Sequence, residues 1–267
     1  MNRQEIGLLI ARRVSENKDE LKKFWEQSSP VKHFFIDNVL PDNLVKEIYS
    51  KFPSREQMML RKTLRERKNV GVAIEEYSPL VTEALMAFQE PAVVEVMTEI
   101  TGIHGMTPDP TLYASGLSMM AQGDFLNPHL DNSSDGDASK YRVINLLFYV
   151  TPDWKLENGG NLELWDEKVK NQKTVLSGFN RLVIMGTDDK SWHSVNKVVI
   201  DGRRCCLSNY YFAEKPIVAK DYFHATTFKG RPGETLKGIL LDLDGIIRNG
   251  IRKVFRKGVF GTRHKRG

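Results

Sequence analysis

The chain contains one His-x-Asp triplet, His129-Leu130-Asp131, and a third possible metal ligand, His193, that lies 62 residues after Asp131. Two imidazoles and one carboxylate on one side of an ion form a facial triad, which suits Fe(II) and leaves coordination positions open. A single triplet is weak evidence, because His-x-Asp arises by chance in many proteins. Its chemical meaning therefore depends on the elements that carry the three residues.

On a β-strand, residues i and i+2 point to the same face, so His129 and Asp131 can hold one ion while Leu130 points away. His193 opens a second predicted strand, HSVNKVVI. The alternative is a loop His-x-Asp and an unrelated strand-end histidine. A structural zinc module is a further alternative, but a closed zinc site normally takes four ligands. The other four histidines lack such a context, and we predict that they are structural or surface residues.

An anionic co-substrate in a buried site needs a fixed cation, and the fork of an arginine binds a carboxylate through two hydrogen bonds. Arg203 and Arg204 open a predicted strand downstream of His193. Side chains alternate along a strand, so only one of the two can face a site. The period alone does not choose between them.

The elements that must position these residues begin near residue 111. From there the chain consists of short β-rich runs separated by Gly, Asn, Asp and Pro, which predicts an antiparallel jelly roll. The predicted strands are TLYASGLSMMAQ, YRVINLLFYV, NLELWD, KTVLSG, NRLVIMG, HSVNKVVI and RRCCLSNYYF. Helices come first and strands afterwards, so the predicted class is α+β, with helices bracing one side of the sheet.

Before residue 111 the apolar spacing predicts helices over 3–27 and roughly 79–101. VKHFFIDNVL is a predicted strand, and Pro41 starts the helix PDNLVKEIYSKF. Residues 53–71 are highly charged, so we predict an exposed loop or lid, with Arg61, Arg65 and Arg67 as candidate substrate contacts. The predicted domains are an N-terminal support region (1–106), a jelly-roll core (107–214) and a basic amphipathic C-terminal extension (215–267).

The positive charge of the chain is concentrated at its C-terminus. Eight of the 39 basic residues and none of the 34 acidic ones lie after Asp244, so the rest of the chain is slightly acidic. We therefore expect no nucleic-acid partner for the core, whereas residues 245–267 are a candidate for peripheral contact with an anionic surface. Without an apolar run of membrane-spanning length or a signal-peptide core, a cytoplasmic protein is the expectation.

Together, these motifs resemble the Fe(II)- and 2-oxoglutarate-dependent dioxygenases, in their prolyl 4-hydroxylase-like branch. His129 and Asp131 match the first two metal ligands of that family and His193 the third. The run from Arg204 to Phe212 resembles its last core strand, which opens with the arginine that binds 2-oxoglutarate. Tyr149, at the end of YRVINLLFYV, matches a tyrosine that assists the same carboxylate in oxygen-sensing prolyl hydroxylases.

This resemblance implies a double-stranded β-helix and an enzyme that uses Fe(II), 2-oxoglutarate and O₂, with ascorbate as a possible reductant. The implied reaction is hydroxylation of an unactivated C–H bond with release of succinate and CO₂. Peptidyl proline, an amino acid, a glycan and another small metabolite all remain open as substrates. The alternative is a non-catalytic metal-binding jelly roll that docks an anionic partner through its basic tail.

Overall fold

The computed structural model describes residues 1–234, 238–241, 243, 245 and 247. In this part of the chain five α-helices precede most of twelve β-strands. The helices are α1 (Arg3–Ser15), α2 (Lys18–Gln27), α3 (Asp42–Ser50), α4 (Pro79–Ala87) and α5 (Pro91–Thr101). The strands are β1 (His33–Asp37), β2 (Met59–Lys62), β3 (Glu66–Val70), β4 (Gly116–Ala121), β5 (Phe125–Leu130), β6 (Tyr141–Tyr149), β7 (Leu162–Trp165), β8 (Gln172–Val175), β9 (Arg181–Gly186), β10 (His193–Val195), β11 (Arg203–Ala213) and β12 (Thr227–Phe228).

The strands form one curled antiparallel sheet with the order β1-β9-β6-β11-β4-β3-β5-β10-β7-β8. β4 and β5 are not direct neighbours, because β3 pairs with both of them and links the two halves of the sheet. β12 pairs with β5 on the other side. The predicted α+β class and jelly-roll core are confirmed. The predicted domain boundaries at 106/107 and 214/215 stay predictions, and three strands that precede residue 107 join this sheet.

The helices pack against the outer face of the larger half of the sheet. On β6, Leu146 and Phe148 belong to the core that includes α1, α4 and α5, while the alternate residues Asn145 and Tyr149 line a cavity on the inner face. This alternation follows from the two-residue period of a strand. The larger half of the sheet is thus buried on one side by helices and leaves its other side for a site.

Two predicted helices are each divided into two. Residues 3–27 form α1 and α2, because the chain turns at Asn17, whose side-chain amide donates to the carbonyl of Arg13. The segment 79–101 forms α4 and α5, because Pro91 lacks the backbone N–H that a continuous helix needs and instead starts α5. The predicted strand before Pro41 is β1, and the helix after it is α3.

The prediction that residues 53–71 are a loop without strands is wrong, whereas the alternative of a lid stays a prediction. Residues 59–70 form the β2–β3 hairpin, in which Met59 is opposite Val70 and Lys62 is opposite Arg67. The charges of this segment hid its strand character, because they suppressed any apolar alternation. The hairpin is an integral part of the sheet and lines the inner cavity.

The chain after β11 returns across the smaller half of the sheet. Phe228 in β12 packs beside β5, and Arg231 forms an ion pair with Glu163 of β7 at 2.6 Å. Of the predicted basic segment 245–267, the structure describes only Gly245 and Ile247, so its predicted surface contact lies outside the described residues. Within the described part of the chain, no helix is long and apolar enough to cross a bilayer.

Candidate metal centre

Neighbouring strands bring the three predicted metal ligands together. His129 lies near the end of β5, Asp131 follows that strand directly, and His193 opens β10, where it is the register partner of His129. The Nε2 atoms of His129 and His193 each lie 3.7 Å from a carboxylate oxygen of Asp131. All three donor atoms lie within 4.8 Å of one another, a spacing that fits a single metal ion.

Both imidazoles are oriented by the same local contact. The Nδ1 atom of His129 lies 3.0 Å from the carbonyl of Asn127, and that of His193 lies 2.9 Å from the carbonyl of Ser191. A protonated Nδ1 that donates to a carbonyl leaves the Nε2 lone pair for a metal. Burial lowers the pKa of His129 to about 3 and lowers that of His193, so both rings are neutral, as metal ligands must be.

An arginine supports the carboxylate of the group. Nη1 of Arg142, from β6, lies 3.4 Å from Oδ1 of Asp131, and its guanidinium packs over the ring of Tyr210 at 4.3 Å. Arg142 is 5% exposed, so this cation is held in place by the fold. It helps to orient the carboxylate of Asp131 towards the two histidines.

Arg204 projects into the inner cavity, whereas Arg203 points outward and packs over the ring of Tyr49 at 4.6 Å. Arg204 is 4% exposed, and among the described residues no carboxylate forms an ion pair with it. Its Nε atom has no hydrogen-bond partner, and Nη2 contacts Sδ of Met120 at 2.8 Å. A buried guanidinium without an anion is costly, so this environment fits the carboxylate of a bound dicarboxylic acid.

Tyr149 lies beside this arginine, with its ring 5.3 Å from Cζ of Arg204, and it is almost fully buried. Burial raises the pKa of its phenol, which therefore stays protonated and can donate a hydrogen bond. Cys206 follows two residues after Arg204 on the same face, and burial raises the pKa of its thiol to about 11. Both side chains are neutral, so Arg204 supplies the charge at this end of the cavity.

One cavity of about 540 Å³ connects the metal group with Arg204. This volume lies within the range of small-ligand sites. Asn145 and Ser208 line it, and Oδ1 of Asn145 is buried without a hydrogen-bond partner. The cavity therefore offers an unsatisfied amide acceptor as well as a metal group and a cation.

The three arginines of the charged segment divide between the two faces of the β2–β3 hairpin. Arg61 and Arg65 line the cavity, whereas Arg67 pairs with the buried Asp124 at 3.1 Å. Asn132 and Ser133 do not line the cavity; they bond to Tyr113 and to the backbone of His224. Trp154, Trp165 and Trp192 are buried.

Sequence reasoning missed several residues of the site. Arg142 sits near the start of the strand that ends at Tyr149, and only the fold shows that it reaches Asp131. Phe228 stacks on the ring of His129 at 5.2 Å, and Lys68 lines the cavity from β3. The alternation Glu66, Lys68, Val70 is a strand signal for β3 that the neighbouring charges obscured.

The family comparison covers this region of the chain. Residues 115–212 match the model of the 2OG-Fe(II) oxygenase superfamily, and this segment contains all three metal-group residues as well as Arg204 and Tyr149. No curated protein matches the chain in sequence. The match rests on the same strands that build the cavity.

Solved structures of low sequence identity share the fold. A prolyl 4-hydroxylase from Phytophthora capsici has a TM-score of 0.56 at 15% identity, covering 95% of this chain and 79% of its own. A prolyl hydroxylase from Trichoplax adhaerens, solved with a peptide of the hypoxia inducible factor oxygen degradation domain, has a TM-score of 0.52 at 16% identity, covering 79% and 91%. HygX from Streptomyces hygroscopicus, solved with nickel, 2-oxoglutarate and hygromycin B, has a TM-score of 0.51 at 9% identity, covering 74% and 86%.

The curled sheet is a jelly roll, and its His-Asp-His group could hold a single metal ion. With the family match, residues 115–212 are a 2OG-Fe(II) oxygenase domain whose structural neighbours include prolyl 4-hydroxylases. The chain is therefore an enzyme of the dioxygenase class, and the family implies Fe(II) and 2-oxoglutarate as its cofactor and co-substrate.

Proposed function

We propose that this enzyme hydroxylates an unactivated C–H bond, with His129, Asp131 and His193 as the ligands of Fe(II). Fe(II), 2-oxoglutarate and O₂ together supply the oxidant, and succinate and CO₂ are released. The observation that carries the proposal is one cavity that joins two neutral imidazoles and the carboxylate of Asp131 to a buried arginine, which has no acidic partner among the described residues. No general base is needed among the side chains, because the oxidising power comes from the metal site.

In this proposal the chain's own residues bind and orient the reactants. Arg204 binds the distal carboxylate of 2-oxoglutarate, and the protonated Tyr149 donates a hydrogen bond to the same group. The two imidazoles direct their Nε2 atoms towards the metal position, and Arg142 orients the carboxylate of Asp131 towards the same position. Phe228 and the walls of the cavity keep bulk water away from the metal side.

The substrate of the proposed reaction is a peptidyl proline, an amino acid, a glycan or another small metabolite. The similar structures include proteins solved with a peptide and with an antibiotic, so the fold accommodates both kinds of ligand. Ascorbate is part of the proposal as a reductant that would maintain Fe(II). Function follows the site and not the fold, so the substrate class must come from the residues around the cavity.

Anaerobic addition of Fe(II) and 2-oxoglutarate tests the proposed chelate. We expect a weak visible charge-transfer band, whose intensity saturates with 2-oxoglutarate. Asp131→Ala removes the only carboxylate of the group, so the band and substrate-coupled succinate formation should be lost, while circular dichroism stays that of the parent. A variant that still formed succinate at the parental rate would show that Asp131 is not a ligand.

A further inference from the structure

The β2–β3 hairpin places a surplus of positive charge on the wall of the cavity. The cationic residues that line it are Arg61, Lys62, Arg65, Lys68 and Arg204, against the acidic residues Glu66 and Asp131. Fe(II) and the dianion of 2-oxoglutarate carry opposite and equal charges, so their binding leaves this surplus unchanged. Counted over the described lining residues, the loaded site would therefore hold three more positive than negative charges.

Arg61, Lys62 and Lys68 lie on β2 and β3, and Arg65 lies in the turn that joins these two strands. Arg61 on β2 is the register partner of Lys68 on β3, so both side chains lie on the same face of the hairpin. The side chain of Lys68 is 15% exposed and that of Arg61 is 27% exposed. Both are within ion-pair distance of Glu66, at 2.9 Å and 3.7 Å, which fixes their heads at the cavity wall.

Lys68 lines the same cavity as His129 and His193. One carboxylate, Glu66, is shared between two cations here. In a partly desolvated cavity, charges of one sign attract an oppositely charged ligand more strongly than they would at an open surface.

We propose that the primary substrate carries a carboxylate or phosphate group that binds to Arg61, Arg65 and Lys68 of the hairpin, with its reacting carbon towards the metal. This assignment of substrate class rests on the proposed hydroxylase function. The ring of Phe228 stacks on His129, and Cζ of Arg65 lies 5.9 Å from its centre. This ring therefore forms an apolar wall between the anion-binding hairpin and the metal. The substrate is thus an anion with an apolar portion.

Binding of small probe anions to the loaded enzyme tests this proposal. Under nitrogen, with Fe(II) and saturating 2-oxoglutarate, calorimetry measures the affinity of inorganic phosphate, of benzoate and of the neutral benzamide. We expect at least one anion to bind and benzamide to bind more weakly. Phosphate alone would indicate a phosphate ester as substrate, and benzoate alone a carboxylate.

Variants locate the bound anion. Lys68→Gln and the double variant Arg61→Gln/Lys68→Gln should weaken binding by about fivefold or more, the effect of losing a partly screened charge. Lys68→Arg should keep the affinity within about twofold, because it keeps the charge. Lys170→Gln, an exposed lysine in a distant turn, is the control for charge loss elsewhere.

The proposal is wrong if neither anion binds at 50 mM or if benzamide binds as tightly as the anions. It is also wrong if Lys68→Gln lowers the affinity for the anion no more than Lys170→Gln does. The charge-transfer band in the same samples separates this result from a failure of the proposed function. A normal band without anion binding overturns only the substrate class. Absence of the band overturns the hydroxylase proposal, and the hairpin variants still report whether the anion lies on β2–β3.

Discussion

At the scale of single residues, the candidate site combines groups whose charge states are fixed by burial. The two histidines are neutral, Tyr149 and Cys206 are protonated, and Arg204 is a cation without a carboxylate partner in the described residues. An isolated buried cation is unstable, so the folded protein keeps Arg204 only at a cost that a bound anion removes.

Arg204→Met tests this role at the residue scale. The change removes the guanidinium and nearly keeps the side-chain length, so we expect KM for 2-oxoglutarate to rise about 10- to 100-fold, the value of a hydrogen-bonded charge. Arg203→Met is the matched control, because Arg203 packs on Tyr49 outside the cavity. Steady-state rates of succinate formation at varied 2-oxoglutarate concentrations give the KM of each variant. Equal effects of the two changes would contradict the assignment of Arg204.

At the scale of elements, the segment after β11 packs against the metal group, where Phe228 of β12 stacks on the ring of His129. Oε2 of Glu163 accepts from Ser194 and Arg231, each at 2.6 Å, and Nη2 of Arg231 donates to the carbonyl of Val195. Ser194 is the neighbour of His193 on β10. This network therefore fastens the C-terminal segment to the two strands that carry and flank a metal ligand.

Arg231→Met should destabilise the protein, because it leaves the carboxylate of Glu163 buried with one hydrogen-bond donor. Breaking a fully buried ion pair costs about 3–5 kcal/mol. The side chain of Arg231 is 23% exposed, so we expect a smaller loss, about 2 kcal/mol in the free energy of unfolding. Urea unfolding measures it, and Lys220→Met, an exposed position in the same segment, is the control.

The double variant Glu163→Gln/Arg231→Met distinguishes a charge effect from lost packing. A neutral amide at residue 163 still accepts from Ser194, so the double variant should recover more than half of the stability that Arg231→Met loses. If the double variant is less stable than the single one, the ion pair is not the cause. The network would then stabilise the segment through the aliphatic stem of Arg231.

The sequence predicts an element well where its apolar residues follow a single helical or strand period. α1 lies within the predicted helix 3–27, which the structure divides at Asn17, and β6 lies within the predicted strand YRVINLLFYV. The metal group could be predicted because His129 and Asp131 are two residues apart at the end of one strand. Gly159, before β7, has a φ of +73°, and a Cβ there would collide with the carbonyl of Lys197.

The sequence does not predict elements that depend on distant partners. The β2–β3 hairpin has few apolar residues, and it forms because β4 and β5 offer hydrogen-bonding edges on both sides. Arg142 lies 11 residues from Asp131 along the chain, and only the closure of the sheet brings them to 3.4 Å. In both cases the contacts that determine the structure join residues far apart in the sequence, so local sequence patterns do not reveal them.

At the scale of the whole molecule, the site is distributed over the sheet. The metal group comes from β5 and β10 in one half, while Arg204 and Tyr149 come from β11 and β6 in the other. β3 and β12 each pair with β5 in antiparallel orientation. A ligand that spans the metal group and Arg204 therefore joins both halves, and its binding free energy adds to global stability.

Thermal unfolding with and without ligands tests this coupling. With Mn(II) as an unreactive substitute for Fe(II), and 2-oxoglutarate at about 100 times its Kd, ligand binding should add about 2.7 kcal/mol to the free energy of unfolding. For a domain of this size that corresponds to a rise in Tm of about 5–10 °C. Asp131→Ala should abolish the rise caused by Mn(II). Arg204→Met should reduce only the further rise caused by 2-oxoglutarate, to about half or less, because a Kd raised about 10- to 100-fold leaves the ligand at about 10 times to 1 times its Kd. If 2-oxoglutarate stabilises the Arg204→Met variant as much as the parent, the ligand does not connect the two halves of the sheet through that arginine.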